Sequence, residues 1–186
     1  MYNKQELIKE LNGGKEFSYI YFWGHRQKER NIFDKSCFSQ WFPIGFTLDK
    51  QYYPTTEHFM MAKKAKLFND ETTYINIVKS KTPKEAKAYG RQVKNFDNDI
   101  WEENAFNIVV QGNFEKFSQN EQIKKILIDT YPHILVEASP VDKVWGIGLS
   151  SDDKKASNPL EWEGENYLGF ALMKVRETLI KPSLTS

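Results

Sequence analysis

Tyr53-Pro54-Thr55-Thr56-Glu57-His58-Phe59-Met60-Met61-Ala62-Lys63-Lys64-Ala65-Lys66-Leu67-Phe68 is the stretch on which the reading of this chain turns. It opens as a helix. Pro54 stops the extended segment before it, and Thr55 or Thr56 can cap the exposed amides of the first turn. Glu57 falls in that turn, where the helix dipole favours an anion. Met60, Met61, Lys64 and Phe68 follow at spacings that put them on the face of Glu57. A face carrying two Met and a Phe is a buried face, so Glu57 and Lys64 are expected to point inward. Buried charges are rare unless paired or functional. A plain internal ion pair is the competing account. Two helical turns hold the groups roughly 10 Å apart along the axis, too far for a direct bridge, which favours a site.

Outward from this helix, the chain has 186 residues and a net charge of +1. That length suits one domain: residues 1–16 as an N-terminal extension or short helix, 17–180 as the domain, and 181–186 as a flexible tail. The near-neutral charge gives no strong overall field toward nucleic acid or membrane, although a local basic patch remains open. Five Trp and nine Tyr offer flat surfaces on which bases or sugars stack. Cys37 is the single cysteine, so an internal disulfide and a four-Cys zinc site are excluded, as suits a reducing cytosol. No apolar run approaches a membrane span, and the N-terminus lacks a signal-peptide core. A cytoplasmic location is expected, with no membrane and no obligate protein partner. His25, His58 and His133 show no ligand spacing, so neither metal nor cofactor is expected.

Gln5 to Leu11 reads as a short helix ended by Gly13-Gly14. Strands are expected at Phe17–Trp23, at Ile44–Leu48 and Gln51–Tyr53 around a tight Asp49-Lys50 turn, and at Ile134–Ala138. His25-Arg26-Gln27-Lys28-Glu29-Arg30 is either a solvated turn or a phosphate-binding rim. After the central helix, a second one has Asn69 or Asp70 as cap and Tyr74, Ile75 and Val78 inward. Thr82-Pro83-Lys84-Glu85 starts a third, running to Val93 with Gly90 and Arg91 late in it. Asp99-Ile100-Trp101-Glu102 begins a fourth that turns Trp101, Ala105, Ile108, Val109 and Gly112 inward, and Lys116 falls on the same spacing. Another follows Ser118-Gln119-Asn120-Glu121, and the last begins near Glu165-Asn166. The fold class is α+β, a helix-rich single domain with a small, mostly antiparallel sheet. Between the last strand and the last helix, Ser139 to Leu149 crowds Asp142, Trp145, Gly146 and Gly148 into one turn. Such loops often present binding groups; Asp142 capping a turn beside a core Trp is the structural alternative.

These residues resemble the NADAR, or YbiA-like, family of N-glycosidases. The matching pieces are Phe38-Ser39-Gln40-Trp41, the Tyr53–Phe68 block, Lys87-Ala88-Tyr89-Gly90-Arg91, Trp101 and Lys116-Phe117. They continue through Glu137 to Gly148 and through Trp162-Glu163-Gly164-Glu165-Asn166-Tyr167-Leu168-Gly169. The resemblance covers roughly Phe17 to Leu179. It implies cleavage of the bond between a ribose and a nucleobase-like amine. The implied substrate is an ADP-ribosylated guanine base in a nucleoside or nucleic acid. The alternatives are a ribosylaminopyrimidine phosphate of riboflavin synthesis, or a non-catalytic ADP-ribose or NAD-binding module. The family positions implicated in activity fall on Glu57, Trp101 and Asp142, with Lys64 and Arg91 as further motif positions. Ser39, Trp41, Trp145, Gly146, Gly148 and Asn166 are implied to line the substrate. Gln40 departs from the Asn common in the family, and the basic loop is longer than in compact bacterial members.

The chemistry agrees. Breaking a ribosyl C–N bond builds positive charge on the sugar and negative charge on the leaving base; one carboxylate answers the first and an acid the second. Glu57 and Asp142 are the carboxylates in apolar surroundings, and they are expected to converge on the ribose carbon. Trp101 and Trp145 suit stacking, Arg91 suits a phosphate, and Gly146 and Gly148 permit close backbone approach to a ligand. His58 is expected to be a packed helix residue.

Overall fold

A computed structural model describes residues 2–29 and 32–181. Arg30, the end of the basic loop, and residues 182–186 of the expected tail lie outside them. In chain order the elements are α1 (Lys4–Asn12), β1 (Tyr19–Phe22), β2 (Phe46–Leu48), β3 (Gln51–Tyr53), α2 (Thr56–Leu67), α3 (Glu71–Lys79) and α4 (Pro83–Gly90). Then come α5 (Asn98–Ser118), α6 (Glu121–Ile128), β4 (Ile134–Glu137) and α7 (Tyr167–Ile180). The class is α+β and helix-rich, as expected. The chain forms two compact units, one made of Gln40–Glu121 and the other of Met1–Ser39 with Gln122–Ser186.

The Gln40–Glu121 unit is built on α2. Thr55 caps this helix, its hydroxyl accepting from the His58 amide at 3.3 Å and meeting His58 Nδ1 at 2.8 Å. The sequence pattern gave α2 one buried face, yet Thr56 through Ala62 are all buried, because α3, α4 and α5 pack around it. Glycine makes two of these crossings possible. A Cβ on Gly90 would lie 2.1 Å from the Met61 sulfur, and one on Gly112 would lie 2.6 Å from the Phe59 ring. Gly90 thus admits a neighbouring helix. The β2–β3 hairpin pairs Phe46 with Tyr53 through Asp49 and Lys50, both at positive φ, as a two-residue turn of the primed type requires.

Three expectations shift here. On α3 the buried residues are Thr73 and Ile77, while Ile75 is 39% exposed. Asp70 sets that rotation by accepting the amides of Thr73 at 3.1 Å and Lys94 at 2.9 Å. The helix begun by the Thr82/Glu85 capping box ends at Gly90, and Arg91 is its exposed C-cap. The cap of α5 is Asp97, whose carboxylate takes the amides of Asp99 and Ile100.

In the other unit β1 lies parallel to β4, with Tyr19 opposite Ile134 and Phe22 opposite Glu137, and α7 packs on β4. One mostly antiparallel sheet was expected; the described strands form two separate two-stranded ladders, one parallel and one antiparallel. Residue pattern marks a strand but not its partner, and a parallel pairing needs a crossover, here the whole chain between β1 and β4. Gly169 sets the approach of α7, since a Cβ there would lie 2.1 Å from the Leu135 carbonyl oxygen.

Candidate functional site

The first turn of α2 is anchored on Gln40. The Glu57 amide and the Thr56 hydroxyl both donate to the Gln40 carbonyl, each at 3.0 Å. Glu57 is 5% exposed, so its carboxyl is held inside the protein at the positive end of a helix, as the spacing predicts. The Gln40 side chain is buried too. Its Oε1 accepts from Asn113 Nδ2 at 2.9 Å, and its Nε2 approaches the Met60 sulfur at 3.7 Å. Asn113 also donates to the Val109 carbonyl, and its own Oδ1 is buried without a hydrogen-bond partner. Orphaned buried acceptors are uncommon, so this one marks a place where a donor belongs.

Lys116, one turn further along α5, is fully buried, with its ammonium 5.0 Å from the Phe117 ring centre and 5.9 Å from that of Phe42. Gln40, Asn113 and Lys116 were not singled out as site residues from the sequence. The signal for Lys116 was present: a charge on the apolar spacing of α5, the same criterion that drew attention to Glu57 and Lys64.

Lys64 is half-buried on α2. Its ammonium sits 4.0 Å above the Phe96 ring and 5.4 Å from that of Trp101, and Phe96 leans edge-on against Phe68. Among the described residues no carboxylate lies within ion-pair range of it, so a Glu57–Lys64 ion pair is not the explanation of these charges. Burial pushes the Lys64 pKa down. Trp101 therefore meets Lys64 in one aromatic cup. Trp41 is half-buried with Lys87 Nζ 5.9 Å above its ring, and the exposed Arg91 stands apart from the cup's described contacts. Ser39, in the other unit, follows a short 3-10 turn and gives its amide to the Ser36 carbonyl.

The signature loop of the second unit is differently made. Asp142 Oδ1 accepts the amides of Val144 at 2.9 Å and Trp145 at 2.8 Å, the turn-capping arrangement weighed from the sequence. The carbonyls of Lys143, Val144, Trp145 and Gly146 accept the amides of Glu165, Tyr167, Leu168 and Asn166. A Cβ on Gly146 would lie 2.8 Å from the Glu137 carbonyl oxygen, and Gly148 adopts φ +72° against Lys143 and Glu163. The close approach expected of these glycines is made within the chain itself, at Gly146 to backbone carbonyls and at Gly148 to the side chains of Glu163 and Lys143. Asn166, at φ +56° and fully buried, accepts the Glu137 amide on Oδ1 and donates Nδ2 to the Leu135 carbonyl, each at 2.9 Å. It clamps β4 to α7. Trp145 is half-buried, edge-on to Tyr167 at 6.1 Å. Among the described residues no group of three or more His, Cys, Asp or Glu side chains is placed to hold a metal ion, and no helix is long and apolar enough to cross a membrane.

The NADAR domain model matches residues 21–180. The chain is 40% identical over 167 residues to N-glycosidase R617 of Acanthamoeba polyphaga mimivirus, covering 86% of this chain and 95% of that protein. It is 31% identical to N-glycosidase YbiA of Escherichia coli K12, covering 78% and 81%, and 34% identical to Protein irg-1 of Caenorhabditis elegans, covering 88% and 74%. The NMR structure of E. coli YbiA superposes with a TM-score of 0.71 at 26% identity, over 89% of this chain and 87% of that one. This chain belongs to the NADAR domain family.

Proposed function

We propose that this chain is an N-glycosidase, a hydrolase of N-glycosyl compounds, that removes ADP-ribose from ADP-ribosylated guanine. Water adds its oxygen to C1 of the ribose as the bond from C1 to the guanine nitrogen breaks. The bonding electron pair leaves on that nitrogen, which takes up a proton. The products are ADP-ribose and the unmodified base. The kinship with proteins named N-glycosidase supports the reaction type. The observation that carries the site is the presence on one helix of a buried carboxyl, Glu57, and an ammonium, Lys64, held in an aromatic cup with no carboxylate partner among the described residues.

Glu57 is assigned to the developing cation and its water, and Lys64 to the anionic side of the substrate, since an ammonium with no counter-charge among the described residues suits an incoming anion. Trp101 stacks on the base or ribose, and Arg91, exposed and forked, takes a substrate phosphate. Asp142 holds its loop through Oδ1.

The test is release of free base by purified protein from ADP-ribosylated guanosine and DNA, with a ribosylaminopyrimidine phosphate beside them. Release from the guanine substrates, abolished by Glu57→Gln, is expected. Release from the pyrimidine phosphate alone moves the enzyme into small-molecule metabolism. Tight binding of ADP-ribose without release from any substrate makes it a binding module.

A further inference from the structure

We propose that the exposed face of α4, with the turn before it, binds the phosphate backbone of a DNA single strand that carries the modified guanine; this rests on the reading just given. From Lys79 to Arg91 the sequence holds five basic residues and one acid, Glu85, in a chain whose net charge is +1. Ala86 and Gly90 form the buried side of α4, and Arg91 continues its helical backbone as the C-cap. Lys84, Lys87 and Arg91, spaced i, i+3 and i+7, fall together on the opposite side. Lys79, Lys81, Lys84 and Arg91 are exposed, and Lys87 is half-buried.

Three observations separate this face from an ordinary solvated one. Like charges at i, i+3 and i, i+4 repel, and none of the five cations forms an ion pair among the described residues. The one acid is already engaged, since Glu85 Oε2 accepts the amides of Lys81 at 2.8 Å and Thr82 at 3.3 Å. Lys84 also stands in the first turn of its helix, where the dipole disfavours a cation, so helix stability does not account for it. Lastly, the face leads toward the reacting residues within one unit, Gln40–Glu121. From Arg91 the chain runs on to Phe96, 42% exposed, whose ring lies 4.0 Å from the Lys64 ammonium, and to Trp101. Cations that track a backbone beside rings on which bases stack are the pattern of single-strand binding. A base inside a duplex is out of reach of such a cup, which selects the single strand. Amino and guanidinium groups on phosphates set register and read no sequence.

Fluorescence anisotropy of the full chain with an unmodified deoxythymidine oligonucleotide tests this, at about 12 nucleotides, within the site sizes of single-strand binders. An RNA of equal length, a DNA duplex and polyglutamate are run beside it. The DNA strand is expected to bind at least as tightly as the RNA, and more tightly than the duplex or polyglutamate. Lys81→Gln with Lys84→Gln should weaken it about tenfold at low salt. The same pair should flatten the log–log salt slope by about 1.4, two lost phosphate contacts at about 0.7 each. It should also raise KM for an ADP-ribosylated oligonucleotide and leave KM for ADP-ribosylated guanosine unchanged. Lys81 and Lys84 are exposed, so folding is not at stake. Absence of DNA binding, or an affinity and slope indifferent to the double variant, overturns the surface. So does a preference for RNA, for duplex, or for polyglutamate, the last of which would make the partner an acidic protein. If the surface falls while ADP-ribosylated guanosine still releases its base, the proposed reaction stands. Strand binding that depends on Lys81 and Lys84 without base release keeps the surface and removes the reaction.

Discussion

Two motif blocks look alike on paper and are put to opposite uses. Along α2 and α5, charged side chains sit where apolar ones are expected, and among the described residues Lys64 has no counter-ion and Asn113 an unmet acceptor. In the loop from Asp142 to Gly148, several conspicuous residues also hold the chain's own structure. Asp142 caps a turn through one oxygen, Asn166 clamps a strand, Gly146 admits backbone, and Gly148 lies against the side chains of Glu163 and Lys143. A motif can therefore mark chemistry or architecture, and the partners of its polar atoms help to tell the two apart.

Substitution breaks or sharpens this contrast. The largest expected effect is at Glu57. Glu57→Gln should lower kcat by about 10²-fold or more, the scale of acid–base contributions, with an unchanged melting curve. Asp142→Asn keeps an oxygen that can accept both loop amides, so a much smaller loss is expected, read from steady-state rates on the same substrate. Equal losses would make Asp142 a second chemical group and erase the contrast.

Next in size come architectural positions. Asn166→Ala strands the Glu137 amide and the Leu135 carbonyl, at about 1–3 kcal/mol for each buried group left unsatisfied. Denaturant unfolding should show that loss, and an unaltered midpoint would remove Asn166 from the scaffold.

The smallest expected effect on stability is at Lys64. Removing a half-buried charge that has no carboxylate partner among the described residues, in Lys64→Met, should leave stability unchanged or slightly raised while activity falls, the trade-off typical of functional positions. The pH dependence has a definite sign. The Lys64 pKa is depressed on folding by burial, so its charged form opposes folding. That penalty is fully present at neutral pH and is relieved as pH rises through the depressed value toward that of the unfolded chain. NMR titration should find Lys64 losing its proton before the exposed lysines do.

Much of this was readable in the residues, and the misses have physical causes. The helix at Thr56, its cap at one of two threonines (Thr55 in the structure), the Thr82/Glu85 box and the Asp49-Lys50 turn are local signals, and all are present. The inward placement of Glu57 followed from helical spacing. The pairing of β1 with β4 was not legible, because four-residue strands carry no record of a partner so far along the chain. The rotation of α3 was set by Asp70 reaching Lys94, a contact outside any local window. Lys116 was passed over although it obeyed the rule that found Glu57, and Gln40 became visible only once its carbonyl was seen to hold the start of α2.

The stitching of the signature loop to α7 has a dynamic consequence. The amides of Val144, Trp145, Ile147 and Gly148 are bonded, as are those of Glu165 to Leu168. A stretch with no regular secondary structure is therefore expected to resist hydrogen–deuterium exchange as a helix does. It should open only together with the first turn of α7, so that loop and helix start exchange as one cooperative unit.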